Sequence, residues 1–380
     1  MTTSETVRQV TTPAGDTAWQ VTGYANVKAL LGDPRLGRSH PAPERAARYS
    51  EAAIFGQPMG SPESERNEHA QMRSLLTPSF SARRMANLRP RIQELVDGLL
   101  DDMGRMTPPL DFHALVSLPL PVLVICELLG VPYTDREDFR RWSDDAADML
   151  DGPRSRAGLM QLQAYMSELL ERKRRTPAED VLCDLVAAQA YAPAAFTDEG
   201  VAQLAAGLLF AGHETTVTAI DKGVILLLTN PAARDVLQRD PTAVPRVVEE
   251  ILRMPTPLPA EHGASPGGLP RYANADIELG GATIAAGDLV LLDLQDANLD
   301  PSMFATPEQF QVERADNAHL TFGHGGHYCI GAPLARIELQ AIFSTLFRRF
   351  PTLQLAVPIE ELRPRSQLLT GGVNELPVTW

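Results

Sequence analysis

The stretch FGHGGHYCIG at 322–331 contains the residues best suited to bind a reactive group. Cys329 lies just before a predicted helix over 331–349, so its sulfur would face unpaired backbone N–H groups and the positive end of the helix dipole. Both features favour a thiolate over a thiol. The glycines allow turns that side chains would block and let a flat molecule approach the backbone. A thiolate held in this way is a suitable axial ligand for haem iron.

Two other interpretations of this stretch remain open. A zinc site with His324, His327 and Cys329 would need a further ligand, and the sequence contains no paired CxxC or HxxxH motif to supply it. A nucleophilic cysteine would need a base and an orienting acid, and the sequence indicates neither. The other two cysteines, Cys126 and Cys183, lie in apolar helical stretches, and we expect both to be buried hydrophobic residues.

A second polar group interrupts the long apolar stretch around AGHETT at 211–216. The flanks GLLF and VTAI predict a buried helix, in which a carboxylate needs a partner or a function. Gly212 and the threonine hydroxyls can loosen such a helix and bond its carbonyl groups. An acid beside a hydroxyl at a bend, here Glu214 and Thr215, can pass protons and hold water.

Two further helical motifs combine arginine with a second functional group. Glu250 and Arg253 in EEILR are three residues apart between apolar flanks, which predicts a buried ion pair. His69 and Arg73 in HAQMR are four residues apart, which by itself is typical of a solvated helix face.

The composition restricts the architecture that positions these motifs. The chain has 380 residues, a net charge of -14 and three cysteines. This is ordinary globular composition without a disulfide framework, and its acidity disfavours nucleic acid or an anionic membrane as the main partner. No segment reads as a signal peptide or a membrane span, so we expect a cytoplasmic protein.

The periodicity predicts a mainly α fold with a smaller β-rich part. A strand is expected within 17–24, and mostly helices over 65–255, including 119–130 and 162–175. A hairpin is expected within 276–294 around Gly280-Gly281, and further strands at 353–359 and beside Gly371-Gly372.

FGHGGHYCIG resembles the haem-binding signature of cytochromes P450 residue by residue. The matching positions are Phe322, Gly323, Gly325, His327, Cys329 and Gly331. The following APLAR at 332–336 is similar to that family too, and the resemblance extends over nearly the whole chain in the order of soluble bacterial members. It implies the triangular, helix-rich P450 fold as a single domain over 1–380, with the usual N-terminal helix missing. The resemblance departs at Leu299, where an arginine is common.

The resemblance implies a haem-thiolate monooxygenase that inserts one oxygen atom of O2 into a C–H bond by hydroxylation or epoxidation. Its cofactor would be haem b, and Cys329 would be the axial ligand of the iron. The other haem contacts would come from His69, Arg73, Arg271, Phe322, His327 and Gly331. Glu214 and Thr215 would form the catalytic acid–alcohol pair. Glu250, Arg253 and Arg314 would form a network that stabilises the fold.

The chain contains no nucleotide, flavin or iron–sulfur motif. Electrons would therefore come from NAD(P)H through a separate ferredoxin and ferredoxin reductase, which would dock on a basic patch beside Cys329. We expect a monomer. A non-catalytic haem protein and a peroxygenase are the alternatives, and the Glu214-Thr215 pair disfavours both.

The substrate is expected to be a bulky neutral lipophile such as a macrolide or other polyketide, with a terpenoid, a steroid and a peptide-bound amino acid left open. In the family the pocket is lined by the segments 46–64, 148–163, 204–215, 255–262 and 368–370. Their residues here include Phe55, Met59, Met149, Leu208, Leu258 and Leu369. Most are aliphatic, and no cation stands out among them.

Overall fold

The computed structural model describes residues 6–191, 197–258 and 267–380. Within these ranges the chain forms twelve α-helices: α1 (Tyr24–Leu31), α2 (Glu65–Leu76), α3 (Ala82–Gly104), α4 (Pro119–Leu129), α5 (Arg136–Ala146), α6 (Gly152–Arg175), α7 (Val181–Tyr191), α8 (Asp198–Thr229), α9 (Pro231–Arg239), α10 (Val244–Arg253), α11 (Leu294–Asn298) and α12 (Ala332–Arg349). The same ranges contain ten strands: β1 (Val7–Thr11), β2 (Thr17–Val21), β3 (Leu36–Gly37), β4 (Leu110–Asp111), β5 (Leu269–Ala273), β6 (Ile277–Leu279), β7 (Ala282–Ile284), β8 (Leu289–Leu292), β9 (Gln354–Leu355) and β10 (Pro377–Thr379). The predicted helix-rich fold with a smaller β part is confirmed.

The helix ends follow from local sequence. Helix α4 begins with Pro119 and ends at Gly130, whose left-handed φ of 73° closes the last turn, as predicted. Helix α6 begins ten residues before the predicted 162, because Asp151 caps it by accepting a hydrogen bond from the Arg154 N–H at 2.9 Å.

The main sheet has five strands in the order β1-β2-β8-β5-β3. Strand β1, which the sequence analysis did not predict, pairs antiparallel with β2. The hairpin around Gly280-Gly281 is confirmed as β6 and β7, and both glycines have positive φ. The predicted hairpin region is nevertheless split, because β8 leaves it to pair with β2 and β5 in the main sheet.

The C-terminal strands are shorter than predicted. Only Gln354–Leu355 of the 353–359 stretch is a strand, paired with β10. Beside the Gly371-Gly372 turn, the pairing is a single bridge between Pro364 and Val373. A second bridge joins Asp148 to Leu368 and so ties this segment to the helical part.

Helix α8 runs through the helical core and is buried on most faces. It is helical without a break through AGHETT. Gly212 permits close packing there, because a Cβ would lie 2.5 Å from Cδ1 of Ile125 on α4. Gly223 likewise admits the Phe343 ring of α12. No helix in the described ranges is long and apolar enough to cross a membrane.

Candidate active site

The Cys329 thiol lies three residues before α12. The backbone N–H groups of Gly331 and Ala332 favour the thiolate form of this sulfur, as the sequence predicted for a cysteine at a helix N-terminus. The backbone N–H of Cys329 donates to the carbonyl oxygen of Phe322 at 2.8 Å, which closes the loop. Gly325 makes that loop possible, because its φ is +70° and a Cβ there would lie 3.1 Å from Cα of Gly32.

The backbone alone does not make Cys329 a thiolate. Cys329 is open to solvent on one side, yet protein atoms surround most of the thiol, and this burial raises its pKa. The two N–H groups and the charges of Arg73 and Arg336 oppose that effect without overcoming it. The thiolate form therefore depends on a cation bound to the sulfur, which is what an iron centre provides.

The other two cysteines differ from each other. Cys126 is buried as predicted, and burial raises its pKa to about 12. Cys183 is only half-buried, contrary to the prediction, because it lies in the first turn of α7. The described residues contain no group of three His, Cys, Asp or Glu side chains that could hold a metal ion, so the zinc interpretation of His324 finds no support there.

A second ion pair supports the Cys329 loop, and the sequence analysis missed it. Glu249 on α10 accepts hydrogen bonds from Arg336 Nε at 2.7 Å and Nη2 at 2.9 Å. The Arg336 guanidinium lies 4.6 Å from the centre of the Phe322 ring. The two adjacent glutamates of EEILR could have indicated this second ion pair, because neighbouring side chains on a helix point toward different elements. Glu249 pairs with Arg336 and Glu250 with Arg253.

His69, Arg73 and His327 come together beside the Cys329 loop. The His69 and His327 rings are 4.0 Å apart between centroids. Arg73 donates to the carbonyl oxygen of Tyr328 at 3.0 Å. Burial and the charges of neighbouring arginines together lower the pKa of both histidines, that of His327 to about 4. Both rings are therefore neutral at neutral pH.

Arg271 completes this group, together with a residue that the sequence analysis missed, Arg38. Strand β5 pairs with β3 in the register Gly37 opposite Tyr272, so the next positions place Arg38 opposite Arg271. Among the described residues, the Arg271 side chain hydrogen-bonds only to the carbonyl oxygen of Pro270, and burial lowers its pKa to about 9. Arg38 lies 4.6 Å from the Phe55 ring centre, and its Nε is buried without a partner.

The charges of this cluster do not balance within the protein. Arg38, Arg73 and Arg271 carry three positive charges, and both histidine pKa values respond to one carboxylate, Glu65. Glu65 accepts from the backbone N–H of Arg38 at 2.7 Å and of Ser39 at 3.1 Å. The excess of two positive charges would be neutralised by two carboxylates, the number that a haem carries.

Glu214 and Thr215 are adjacent in sequence but bond to different partners. Glu214 is 1% exposed, and its Oε2 accepts from the Thr370 hydroxyl at 3.1 Å. The exposed Thr215 donates its hydroxyl to the carbonyl oxygen of Ala211 at 3.0 Å, as predicted for threonines in this helix. The acid is therefore on the buried side of α8 and the alcohol on its open side.

Glu250 and Arg253 form the predicted buried pair. Arg253 donates Nε and Nη2 to the two Glu250 oxygens at 2.9 and 2.7 Å, and neither side chain is exposed. Arg314 joins them at 3.2 Å, as the resemblance implied. The Glu250 carboxylate also accepts from the Gln311 backbone N–H at 2.9 Å and from Asn317 Nδ2 at 3.0 Å.

Three of the expected pocket segments meet in the structure. Met149 N–H donates to the Gln367 carbonyl at 3.0 Å, and Leu369 N–H to the Ala147 carbonyl at 3.1 Å. Thr370 then reaches Glu214 on α8. Leu208 and Leu258 are partly buried, whereas Met59 is 43% exposed. Residues 259–262 of the expected lining lie outside the described residues.

Comparison with known proteins agrees with this fold and site. The family model "Cytochrome P450" matches residues 154–370. Pentalenolactone synthase of Streptomyces exfoliatus is 44% identical over 97% of this chain and 91% of its own length. Mycinamicin IV hydroxylase/epoxidase of Micromonospora griseorubida is 38% identical over 99% and 93% of the two chains. The solved structure of PimD, an epoxidase of the polyene macrolide pimaricin, superimposes with a TM-score of 0.85 and 41% identity, covering 99% and 93%.

The fold and the cysteine loop define a haem-thiolate oxygenase, and the chain belongs to the cytochrome P450 family. It is a cytochrome P450 monooxygenase. The family uses haem iron and O2, receives electrons from redox partners and acts on a small-molecule substrate. The relatives compared above include hydroxylases and epoxidases of macrolide and other secondary-metabolite biosynthesis.

Proposed function

We propose that this monooxygenase hydroxylates or epoxidises a bulky, neutral, lipophilic metabolite such as a macrolide or another polyketide. The charge count beside Cys329 carries this proposal. If the two surplus positive charges are matched by the haem carboxylates, then none of these three arginines remains for an anionic substrate. The printed activities of the mycinamicin and pimaricin relatives support the macrolide class.

The cofactor roles are assigned by the chemistry of the donors. Cys329 would bind the iron, with Phe322 and Gly331 lining the same loop. His69, Arg73, Arg271 and His327 would bind the two propionates, and Arg38 joins them on the basis of its unpaired Nε. When bound, haem supplies the activation of O2 and the transfer of one oxygen atom to the substrate.

The chain itself controls protons and water near the substrate. The Thr215 hydroxyl, which donates to the Ala211 carbonyl, has lone pairs left to hold a water molecule on the open side of α8. Glu214 is the nearest acid along the helix and would supply protons from its buried side. Leu208 and Leu369 would exclude bulk water from the substrate pocket.

We further propose that the whole chain, 1–380, acts as one domain and as a monomer in the cytoplasm. A ferredoxin and its reductase would deliver electrons from NAD(P)H. Arg89, which donates to Gln340 of α12 at 3.1 Å, supplies positive charge for an acidic partner to dock.

The axial ligand provides the first test. The ferrous–carbon monoxide spectrum of the purified protein should show the red-shifted Soret band of thiolate ligation, and Cys329→Ser should lose it. Cys126→Ser is the matched control, since that thiol is buried and protonated, and it should keep the band. A Cys329→Ser protein that retains the band would refute the assignment.

The substrate class is tested by spectral titration. Neutral macrolides should shift the Soret band at lower concentrations than carboxylate-bearing analogues of similar size. Tighter binding of the carboxylates, lost in Arg38→Gln, would contradict the neutral class and would assign Arg38 to the substrate.

A further inference from the structure

The buried imidazole of His213 faces the Glu214 carboxylate, and within the described part of the chain neither facing atom has another partner. His213 Nε2 lies 3.2 Å from Glu214 Oε1, and both atoms are buried without a well-aligned hydrogen bond. His213 Nδ1 lies 2.9 Å from the Leu209 carbonyl oxygen. A carbonyl only accepts, so Nδ1 carries a proton and the lone pair of the neutral ring would be on Nε2.

This arrangement requires one proton between the two side chains. A bare Nε2 facing an ionised carboxylate would place two lone pairs against each other in the protein interior. Burial lowers the pKa of His213, but the adjacent Glu214 charge outweighs it and raises the pKa overall. For Glu214, burial raises the pKa, whereas His213, Arg365 and Thr370 lower it to about 2. The proton therefore resides on His213, and the pair is an imidazolium and a carboxylate.

Two charged residues that act on this pair line a cavity of about 540 Å³. Asp144 of α5 and Arg365 of the C-terminal segment line it, and they form an ion pair at 3.1 Å. Arg140 lies 3.6 Å from Asp144 on the same helix. The charges of Asp144 and Arg365 act on Glu214, and that of Asp144 acts on His213. The Ser143 hydroxyl, also on α5, is buried without a partner.

We propose that His213 stores the proton that Glu214 delivers, and that the cavity beside Asp144 and Arg365 is where this store refills from solvent. The inference rests on the monooxygenase function proposed above. The proton passes from His213 Nε2 to Glu214 Oε1. The neutral carboxyl is then held only by the Thr370 hydroxyl and is free to turn, and His213 regains a proton from the cavity side. His213 is thus a positioning residue that acts through Glu214.

The structure contains a matched control for this role. His113 is also buried, its Nδ1 lies 2.7 Å from Asp221 Oδ2 on α8, and it lines the same cavity. Asp221 is seven residues beyond Glu214, about 10 Å along the helix. Substitution of either histidine removes a buried histidine–carboxylate pair. Only the His213–Glu214 pair has a threonine, Thr215, next to its carboxylate.

The experiment compares His213→Gln, His113→Gln and Asp144→Asn as holoenzymes with the wild type. Product per NAD(P)H should fall about tenfold in His213→Gln, part of the roughly 100-fold or more that a positioned proton donor contributes. Asp144→Asn, which leaves the His213–Glu214 pair in place, should lower the yield less and should enlarge the solvent deuterium isotope effect on product formation. His113→Gln, which leaves the His213–Glu214 pair in place, should lower the yield much less than His213→Gln does.

Nitrogen NMR of isotope-labelled histidines in the carbon monoxide-bound ferrous wild type provides a readout that is independent of turnover. It should show a doubly protonated buried ring at neutral pH that is absent in His213→Gln and retained in His113→Gln. A neutral His213 ring, an unchanged yield in His213→Gln, or equal losses in both histidine variants would overturn the inference alone. A wild type that makes no product with any redox system would instead overturn the proposed function.

Discussion

Two buried glutamates, Glu250 on α10 and Glu214 on α8, show opposite ways of placing a carboxylate in a protein interior. Glu250 has no exposed surface, and arginines, a backbone N–H and an amide all donate to it. Glu214 is equally buried, but one of its oxygens has no well-aligned hydrogen bond.

The difference separates a structural acid from one that can exchange a proton. A carboxylate surrounded by fixed donors is stabilised in its charged form and has no free position for a proton. A carboxylate that faces a single titratable side chain can exchange a proton with it while its other hydrogen bonds stay in place. Burial alone does not distinguish the two cases, whereas the number and kind of donors does.

The largest expected effect is that of Glu250→Gln. It removes the charge that Arg253 and Arg314 share and turns an amide NH2 toward their donors. We expect the free energy of unfolding to fall by about 3–5 kcal/mol, with poor haem retention. Thermal unfolding and haem content measure this. Normal values for both would show that the pair is not needed for folding.

For Glu249, the neighbour of Glu250, we expect a loss of stability between those of the Glu250 and Glu214 substitutions. Burial raises its pKa, but His319 and Arg336 lower it from 4.5 to about 2. Its pairing therefore stabilises the fold fully above pH 4.5, and this contribution is lost as the pH falls through about 2.

Comparison of the wild type with Glu249→Gln over a pH series tests this linkage. The stability difference should be about 3 kcal/mol near neutral pH and should disappear in acid. A difference that stays constant with pH would mean that packing, not ionisation, is what the substitution disturbs.

The isosteric change Glu214→Gln should cost little stability. The amide oxygen can still accept from Thr370, and the amide NH2 can donate to His213 once that ring is neutral. We expect a loss of about 1 kcal/mol, together with a large drop in product per NAD(P)H. If Glu214→Gln lowered the free energy of unfolding as much as Glu250→Gln, both glutamates would serve to stabilise the fold.

The smallest structural effect is expected for Thr215→Ala, whose side chain is exposed and bonds only to Ala211. Haem and substrate binding should be retained, while more of the NAD(P)H consumed ends as hydrogen peroxide. Thr216, which is 4% exposed, is the control, and Thr216→Ala should change the peroxide yield less. A larger effect at Thr216 would identify it as the relevant hydroxyl.

Much of the site could be predicted because its signals are local. The glycine-rich loop and the helix after Cys329 need only nearby residues to place backbone N–H groups at the sulfur. The EEILR spacing places Glu250 and Arg253 on one face of a helix, and apolar flanks indicate burial. Such features depend on helical periodicity, which a sequence displays directly.

The tertiary structure decided the rest, because the partners are distant in sequence. The pairing of β3 with β5 brings Arg38, the residue after β3, close to Arg271, and an isolated arginine gives no sign of this. The Glu214 side chain bonds to Thr370 of a C-terminal turn instead of to the adjacent Thr215. The close packing of Gly212 against Ile125 of α4 likewise joins two elements that are far apart in sequence. The sequence by itself determined which groups are present and on which helix face they lie. Long-range packing decides which of their atoms remain unpaired. This difference separates Glu250, the structural acid, from Glu214, which can exchange a proton.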